Sequence, residues 1–204
     1  DYYDAHTIIN SDNTDEVFMY NHSLYLFRMG FDPNYGFSIG HPFFFPACWE
    51  QCVFWDMHFM ADGLLKTNDV DTVIKLTEYL KRTMRATGKA FPWMMIYDGT
   101  TFLDDKRDIA PLVISAHAMT AIKLYEDTLD KKLLSDLCYP IISRCCDYAL
   151  TDLFKLEDTG WIIAKPISND VVDEEGDEVN QTFTTVWFVS VIAKYVEYSD
   201  ILGI

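Results

Sequence analysis

The sequence predicts an all-α protein, and three observations support this class. Apolar residues recur every three to four positions over six stretches of the chain. Helix-capping residues and Gly or Pro stops separate these stretches, and strand patterns are confined to short pieces between them. Successive helices of this kind form antiparallel pairs. Each pair buries its apolar face against the next, as in toroids and solenoids.

Three helices are predicted in the first half of the chain. In the first, residues 14–16 precede apolar positions that recur over 17–27, and Gly30 and Pro33 end the pattern. The second runs over about 48–65 and is apolar on nearly every face, which predicts a place in the middle of the core. Asn68 or Asp69 caps the third, whose apolar positions continue over 70–80.

The second half of the chain holds three more predicted helices and one small extended unit. A fourth helix covers 108–128, and a fifth follows over about 131–155, with a bend expected at Pro140. Turn residues and a short apolar run over 157–165 are typical of a small hairpin or loop insertion. The last helix is predicted over about 180–202.

Composition excludes several classes of function. The chain has 32 acidic against 16 basic residues and a formal net charge of −16, so its field repels nucleic acid and anionic lipid. No apolar run approaches the roughly 20 residues that span a bilayer. The five cysteines lack the paired spacing of a zinc site, and buried free thiols favour a reducing compartment. We therefore expect a soluble, cytoplasmic protein with no membrane partner, no metal and no cofactor.

Aromatic and acidic residues occur together near the middle of the most apolar stretch. Trp55 and Asp56 follow one another there, and an isolated buried carboxylate costs several kcal/mol unless it is paired or hydrogen-bonded. Asp56 could accept sugar hydroxyls while Trp55 presents a flat face to a pyranose ring. The alternative is an Asp on the helix surface beside a core Trp.

Two loops hold further candidates. Trp93 follows a proline in a long loop over 90–107 and could form a pocket wall, or a hydrophobic lid over the core. Asp173, Glu174 and Glu175 belong to an acidic stretch that either forms a solvated loop or crowds carboxylates together. Crowding raises the pKa of one carboxyl group, which is how a general acid stays protonated near neutral pH. Glycoside cleavage needs such an acid.

These residues, in this order, resemble glycoside hydrolase family 65, whose members are trehalases and disaccharide phosphorylases. The family's Phe-Trp-Asp-Thr-Glu motif is matched by residues 54–58, and its Phe-Pro-Trp signature by residues 91–93. Its catalytic segment, Pro-Asp-Glu followed by an Asn-rich helix start, is similar to residues 172–174 and to the run that begins at Asn180.

The resemblance implies an (α/α)6 toroid and an inverting reaction on an α-glucoside, with residues 1–204 as one partial catalytic domain. It gives Glu174 the place of the general acid. The remaining site residues implied by the motifs bind the sugar: Trp55, Asp56, His58, Trp93, Glu175 and Asn180. The expected partners are an oligosaccharide or disaccharide and, for a phosphorylase, inorganic phosphate. A homodimer is also considered.

The chain departs from the family at three matched positions. His58 stands where the family has Glu, Met57 where it has Thr, and Val172 where it has Pro, so the substrate could differ. The acid could also be Glu175, although Asp173 directly before Glu174 favours the latter. Six hairpins need about 350 residues, so we expect only part of the toroid here, with the general base or phosphate ligands downstream.

Three functions stay open at this point. The first is hydrolysis or phosphorolysis of an α-glucoside, which the sequence does not separate. The second is a non-catalytic sugar-binding or scaffold module, favoured by His58 in place of a family Glu. The third is a sugar epimerase on the same fold, which would use paired histidines and has only His58 and His117 as candidates.

Overall fold

The structure is a computed structural model that describes residues 9–32, 36–37, 52–84, 94–95, 111–160, 162–164 and 182–204. Helices make up most of these residues, as the sequence predicts. The helices are α1 Thr14–Gly30, α2 Phe54–Lys66, α3 Val70–Thr83, α4 Pro111–Thr128, α5 131–153 and α6 Thr182–Leu202. Within the described ranges, none of them combines the length and apolarity that a bilayer crossing requires.

Three antiparallel pairs of very short strands accompany the helices. Phe31–Asp32 (β1) pairs with Gly36–Phe37 (β2), and Cys52–Val53 (β3) pairs with Met94–Met95 (β4). Phe154–Leu156 (β5) pairs with Ile162–Ala164 (β6) and forms the small hairpin that the turn residues predict. In the described part of the chain these pairs do not join into a larger sheet.

The helix α4 forms the centre of the core. Most of its residues are buried, and it contacts α2, α3, α5 and α6. Its buried hydroxyls are satisfied within the helix, because Ser115 donates to the carbonyl of Leu112 and Thr120 to that of Ala116. An apolar helix can be buried on all sides only if such polar groups find partners.

The prediction for the second helix was wrong in two respects. The helix begins at Phe54 rather than near Cys48, because Cys52–Val53 is extended and pairs with β4. It is also not the most buried helix, since Phe59 is 53% exposed. Apolar content alone predicted a central place, and the contacts give that place to α4.

The helix pairs are joined by tight turns. Asn68 adopts a left-handed conformation after α2, and Asp69 caps α3 by accepting a hydrogen bond from the Thr72 amide. Leu129 adopts the same left-handed conformation after α4, and Asp130 caps α5. These caps occur where the sequence predicts the helices to begin.

The helices α4, α5 and α6 alternate in direction. Cys145 Sγ on α5 donates to the carbonyl oxygen of Ile114 near the start of α4, so α4 and α5 form an antiparallel hairpin. Tyr139, early in α5, stacks on Tyr195, late in α6, whereas Tyr148 packs against Phe188. Because α5 is antiparallel to both neighbours, α4 and α6 run in the same direction.

Candidate functional site

The structure describes only some of the predicted site residues. Trp55 and Asp56 lie in the first turn of α2, where the backbone is described but their side chains are not. His58, one turn further along, is described completely. The other predicted site residues lie outside the described residues: Trp93, Glu174, Glu175 and Asn180.

His58 is buried between aromatic side chains. Its ring is 4% exposed and meets Trp187 edge-on, with 5.1 Å between ring centroids and 71° between ring planes. The ring of Phe59 is a second neighbour, with its centroid 5.3 Å from that of His58. Burial, helped by the charge of Lys123 and opposed by that of Asp62, lowers the pKa of His58 to about 4. The imidazole is therefore neutral at physiological pH.

The contact between His58 and Trp187 joins the early turns of two helices. His58 belongs to the second turn of α2, and Trp187 to the second turn of α6. The contact therefore brings the second turns of α2 and α6 together, although these turns are far apart in the sequence. In the sequence, Asp56 precedes His58 by two positions, and Asn180 comes shortly before α6 begins.

An ion pair lies one turn beyond His58 along α2. Asp62 Oδ1 accepts a hydrogen bond from Lys123 Nζ of α4 at 2.5 Å, with side-chain exposures of 39% for Asp62 and 29% for Lys123. Partial exposure limits the stabilisation from such a pair to about 1 kcal/mol or less. The pair nevertheless neutralises two charges beside the aromatic cluster.

The β3–β4 pair connects the start of α2 with the segment that carries the Phe-Pro-Trp sequence. Val53, the residue before α2, is the antiparallel partner of Met94. Trp93 precedes Met94 in the sequence and lies outside the described residues. The pairing therefore brings the strand that follows Trp93 next to the start of α2.

Four site neighbours were missed by the sequence interpretation: Phe59, Asp62, Lys123 and Trp187. Two of them had a usable signal. Asp62 follows His58 by four positions, so both lie on one face of α2, and Lys123 is a charge in the otherwise apolar middle of α4. The contact with Trp187 had no local signal, because it depends on how α6 packs.

A groove lined by described residues lies elsewhere and is not the candidate site. It has a volume of about 650 Å³ and lies between the end of α3 and the start of α5. Its charged side chains bind one another, since Lys132 pairs with Asp136 at 3.0 Å and Lys81 donates to the Asp136 carbonyl. None of the predicted site residues lines it.

The chemistry of the described residues indicates which kinds of ligand they could bind. No group of three or more His, Cys, Asp or Glu side chains within them is arranged to bind a metal ion. A neutral imidazole, two aromatic rings and a compensated ion pair are suited to an uncharged polar ligand. No known protein-family profile matches this chain, and comparison with curated proteins gave no significant match.

Proposed function

We propose that the chain is part of a carbohydrate-active enzyme that cleaves an α-glucosidic bond with inversion. The observation that supports this most is the contact of His58 with Trp187, because it brings the second turns of α2 and α6 together. The family resemblance requires the Trp55–Asp56 motif and the acidic segment before α6 to meet at one end of the helices. That segment includes Glu174, which we propose as the general acid.

The packing order of the helices favours a toroid as the architecture. In such a fold, alternate helices form an inner ring and their hairpin partners form an outer ring. Helix α4 contacts both α2 and α6, and α3 and α5 are the hairpin partners that alternate with them. This is the order expected for three neighbouring inner helices with α3 and α5 outside.

The proposed reaction places the cleaved sugar at the ends of α2 and α6. Trp55, Asp56 and Trp93 hold the non-reducing glucose, and the β3–β4 pairing supports their proximity. Glu174 protonates the departing oxygen, while water or phosphate attacks the anomeric carbon from the opposite face. The proposal covers both hydrolysis, with water as the attacking group, and phosphorolysis, with phosphate. A cytoplasmic location is part of the same proposal.

Matched glutamine variants test the role of Glu174. Because glutamine cannot supply a proton, Glu174→Gln should lower kcat by about 10²–10⁴-fold while disaccharide binding stays measurable. Glu178→Gln, in the same acidic stretch but outside the matched motifs, is the control and should retain most of the activity. Glu175→Gln tests the alternative acid. Turnover of the full-length enzyme is measured on α-linked glucose disaccharides with and without inorganic phosphate. Near wild-type turnover of Glu174→Gln would exclude it as the acid, and loss in Glu175→Gln alone would transfer the role to Glu175.

The second candidate is a non-catalytic sugar-binding or scaffold module. His58 favours it, because a buried neutral imidazole occupies the position where the resembling family has a carboxylate. Calorimetry with glucose disaccharides, combined with the turnover assay, separates the two functions. Binding without turnover supports the module, whereas phosphate-dependent or phosphate-independent cleavage supports the enzyme.

A further inference from the structure

Two aromatic rings are partly exposed where α2, α4 and α6 meet. Phe59 is 53% exposed, Trp187 is half-buried, and their ring centroids are 6.3 Å apart. The Asp62–Lys123 ion pair lies next to them and is also partly exposed. A large aromatic side chain that reaches the surface beside polar groups is typical of a binding surface.

The Trp187 ring is held by its surroundings. His58, itself buried, contacts the Trp187 ring at 5.1 Å and the Phe59 ring at 5.3 Å. Each of the three residues lies within a helix, which restricts its backbone. A ring that is already ordered loses little conformational entropy when a ligand stacks on it.

The polar groups of this cluster favour an uncharged ligand. Lys123 is already paired with Asp62, so the cluster offers no uncompensated cation for a phosphate or carboxylate. The Nδ1 atom of His58 is buried and accepts or donates no hydrogen bond among the described residues. Because this atom is shielded from solvent, the polar group that a surface ligand can reach is the partly exposed carboxylate of Asp62, which can accept a hydrogen bond from a ligand hydroxyl.

A hexopyranose matches these features. Its C–H face is apolar and suits an aromatic ring, while its hydroxyls at the rim suit the partly exposed carboxylate of Asp62. Resting on the function proposed above, we infer that Phe59 and Trp187 form the aromatic floor of the sugar-binding site and accept the apolar face of an uncharged hexopyranose. They are binding residues and take no part in proton transfer.

Calorimetric titration of the protein with an α-linked glucose disaccharide tests this floor. Phe59→Ala and Trp187→Leu should each raise Kd about tenfold or more, because each removes a stacking surface. Val196→Ala is the matched control, since Val196 is a 55% exposed apolar residue on α6 outside the cluster, and its Kd should equal that of the wild type. Glucose 6-phosphate is the charged probe and should bind more weakly than glucose.

The outcomes separate this inference from the proposed reaction. Unchanged Kd values in both variants, with turnover that still depends on Glu174, would contradict the aromatic floor but not the proposed reaction. Weakened binding in both variants, in a protein that cleaves no disaccharide, would support the aromatic floor and contradict the proposed reaction. If no disaccharide binds to the wild type, both fail. If Trp187→Leu does not fold, the Kd of Phe59→Ala decides, because that side chain is more than half exposed.

Discussion

At the residue scale, two buried histidines make the free energy of unfolding depend on pH. His117 in α4 is 1% exposed and His58 in α2 is 4% exposed. Burial lowers the pKa of His117 to about 3 and that of His58 to about 4, below the value of about 6.5 in an unfolded chain. The unfolded state therefore binds these protons first. Stability from the neutral rings is complete above about pH 6.5 and is lost as the pH falls toward 4.

This loss can be measured by urea unfolding at pH 7.5 and pH 5. Because each buried histidine takes up a proton at pH 5 only when the protein unfolds, each should lower the free energy of unfolding by about 2 kcal/mol at pH 5 relative to pH 7.5. Replacing His117 by Leu removes one titrating group, so the loss of stability between pH 7.5 and pH 5 should be about 2 kcal/mol smaller in the variant than in the wild type. His22→Gln, at an exposed position on α1, serves as the control. An equal loss in His117→Leu and wild type would contradict the assignment.

The sequence allowed individual candidate residues to be singled out, but not the residues that contact them in the fold. The Trp55–Asp56 pair stands out because a carboxylate is costly in an apolar stretch, and Asp69 because caps depend on local hydrogen bonds. Trp187 could not be singled out, since its importance comes from the ring of His58, which is distant in the sequence. Nonlocal contacts of this kind leave no periodic pattern.

At the element scale, α5 shows how one proline is accommodated inside a helix. The helix contains two π-helical segments, Leu134–Cys138 and Ala149–Leu153. Pro140 has no N–H to donate to the carbonyl of Asp136, four residues earlier. Lys81 Nζ from α3 donates to that carbonyl instead. The irregularity expected at Pro140 thus takes the form of a π segment just before it, stabilised by a neighbouring helix.

A double-mutant cycle tests this compensation. Lys81→Met should lower the free energy of unfolding by about 1 kcal/mol, because the Asp136 carbonyl loses its donor. In a Pro140→Ala background the new amide can donate to the same carbonyl, so the cost of Lys81→Met should become smaller. The measurement is chemical unfolding of the four proteins. Equal costs of Lys81→Met in both backgrounds would show that the lysine does not replace the missing amide.

Element boundaries were predicted well where local signals decide them. Helix α1 contains the predicted apolar positions over 17–27 and ends at Gly30, one of the two predicted stops, and α3 begins after its cap. The start of α2 was misplaced because β3 pairs with Met94–Met95, a partner that periodicity does not reveal. The fifth helix ends at Leu153 instead of about residue 155, since Phe154–Leu156 joins a hairpin.

At the scale of the whole molecule, the sequence predicted the all-α class but not the order of burial. Both α2 and α4 are strongly apolar, and only their contacts show that α4 has neighbours on every side. Hydrophobic periodicity reports how much of a helix can be buried, and packing decides which helix is central. The helices α4, α5 and α6 alternate in direction, as their contacts show, and this agrees with the antiparallel pairs that the sequence predicts.

The configuration of the first product tests the central claim most directly. Proton NMR follows the full-length enzyme with an α-linked glucose disaccharide, in the presence and absence of inorganic phosphate. Inversion through Glu174 predicts a β-configured product at the cleaved carbon, as β-glucose in hydrolysis or β-glucose 1-phosphate in phosphorolysis. An α-configured first product, or no cleavage of any α-linked glucose disaccharide, would contradict the proposed reaction.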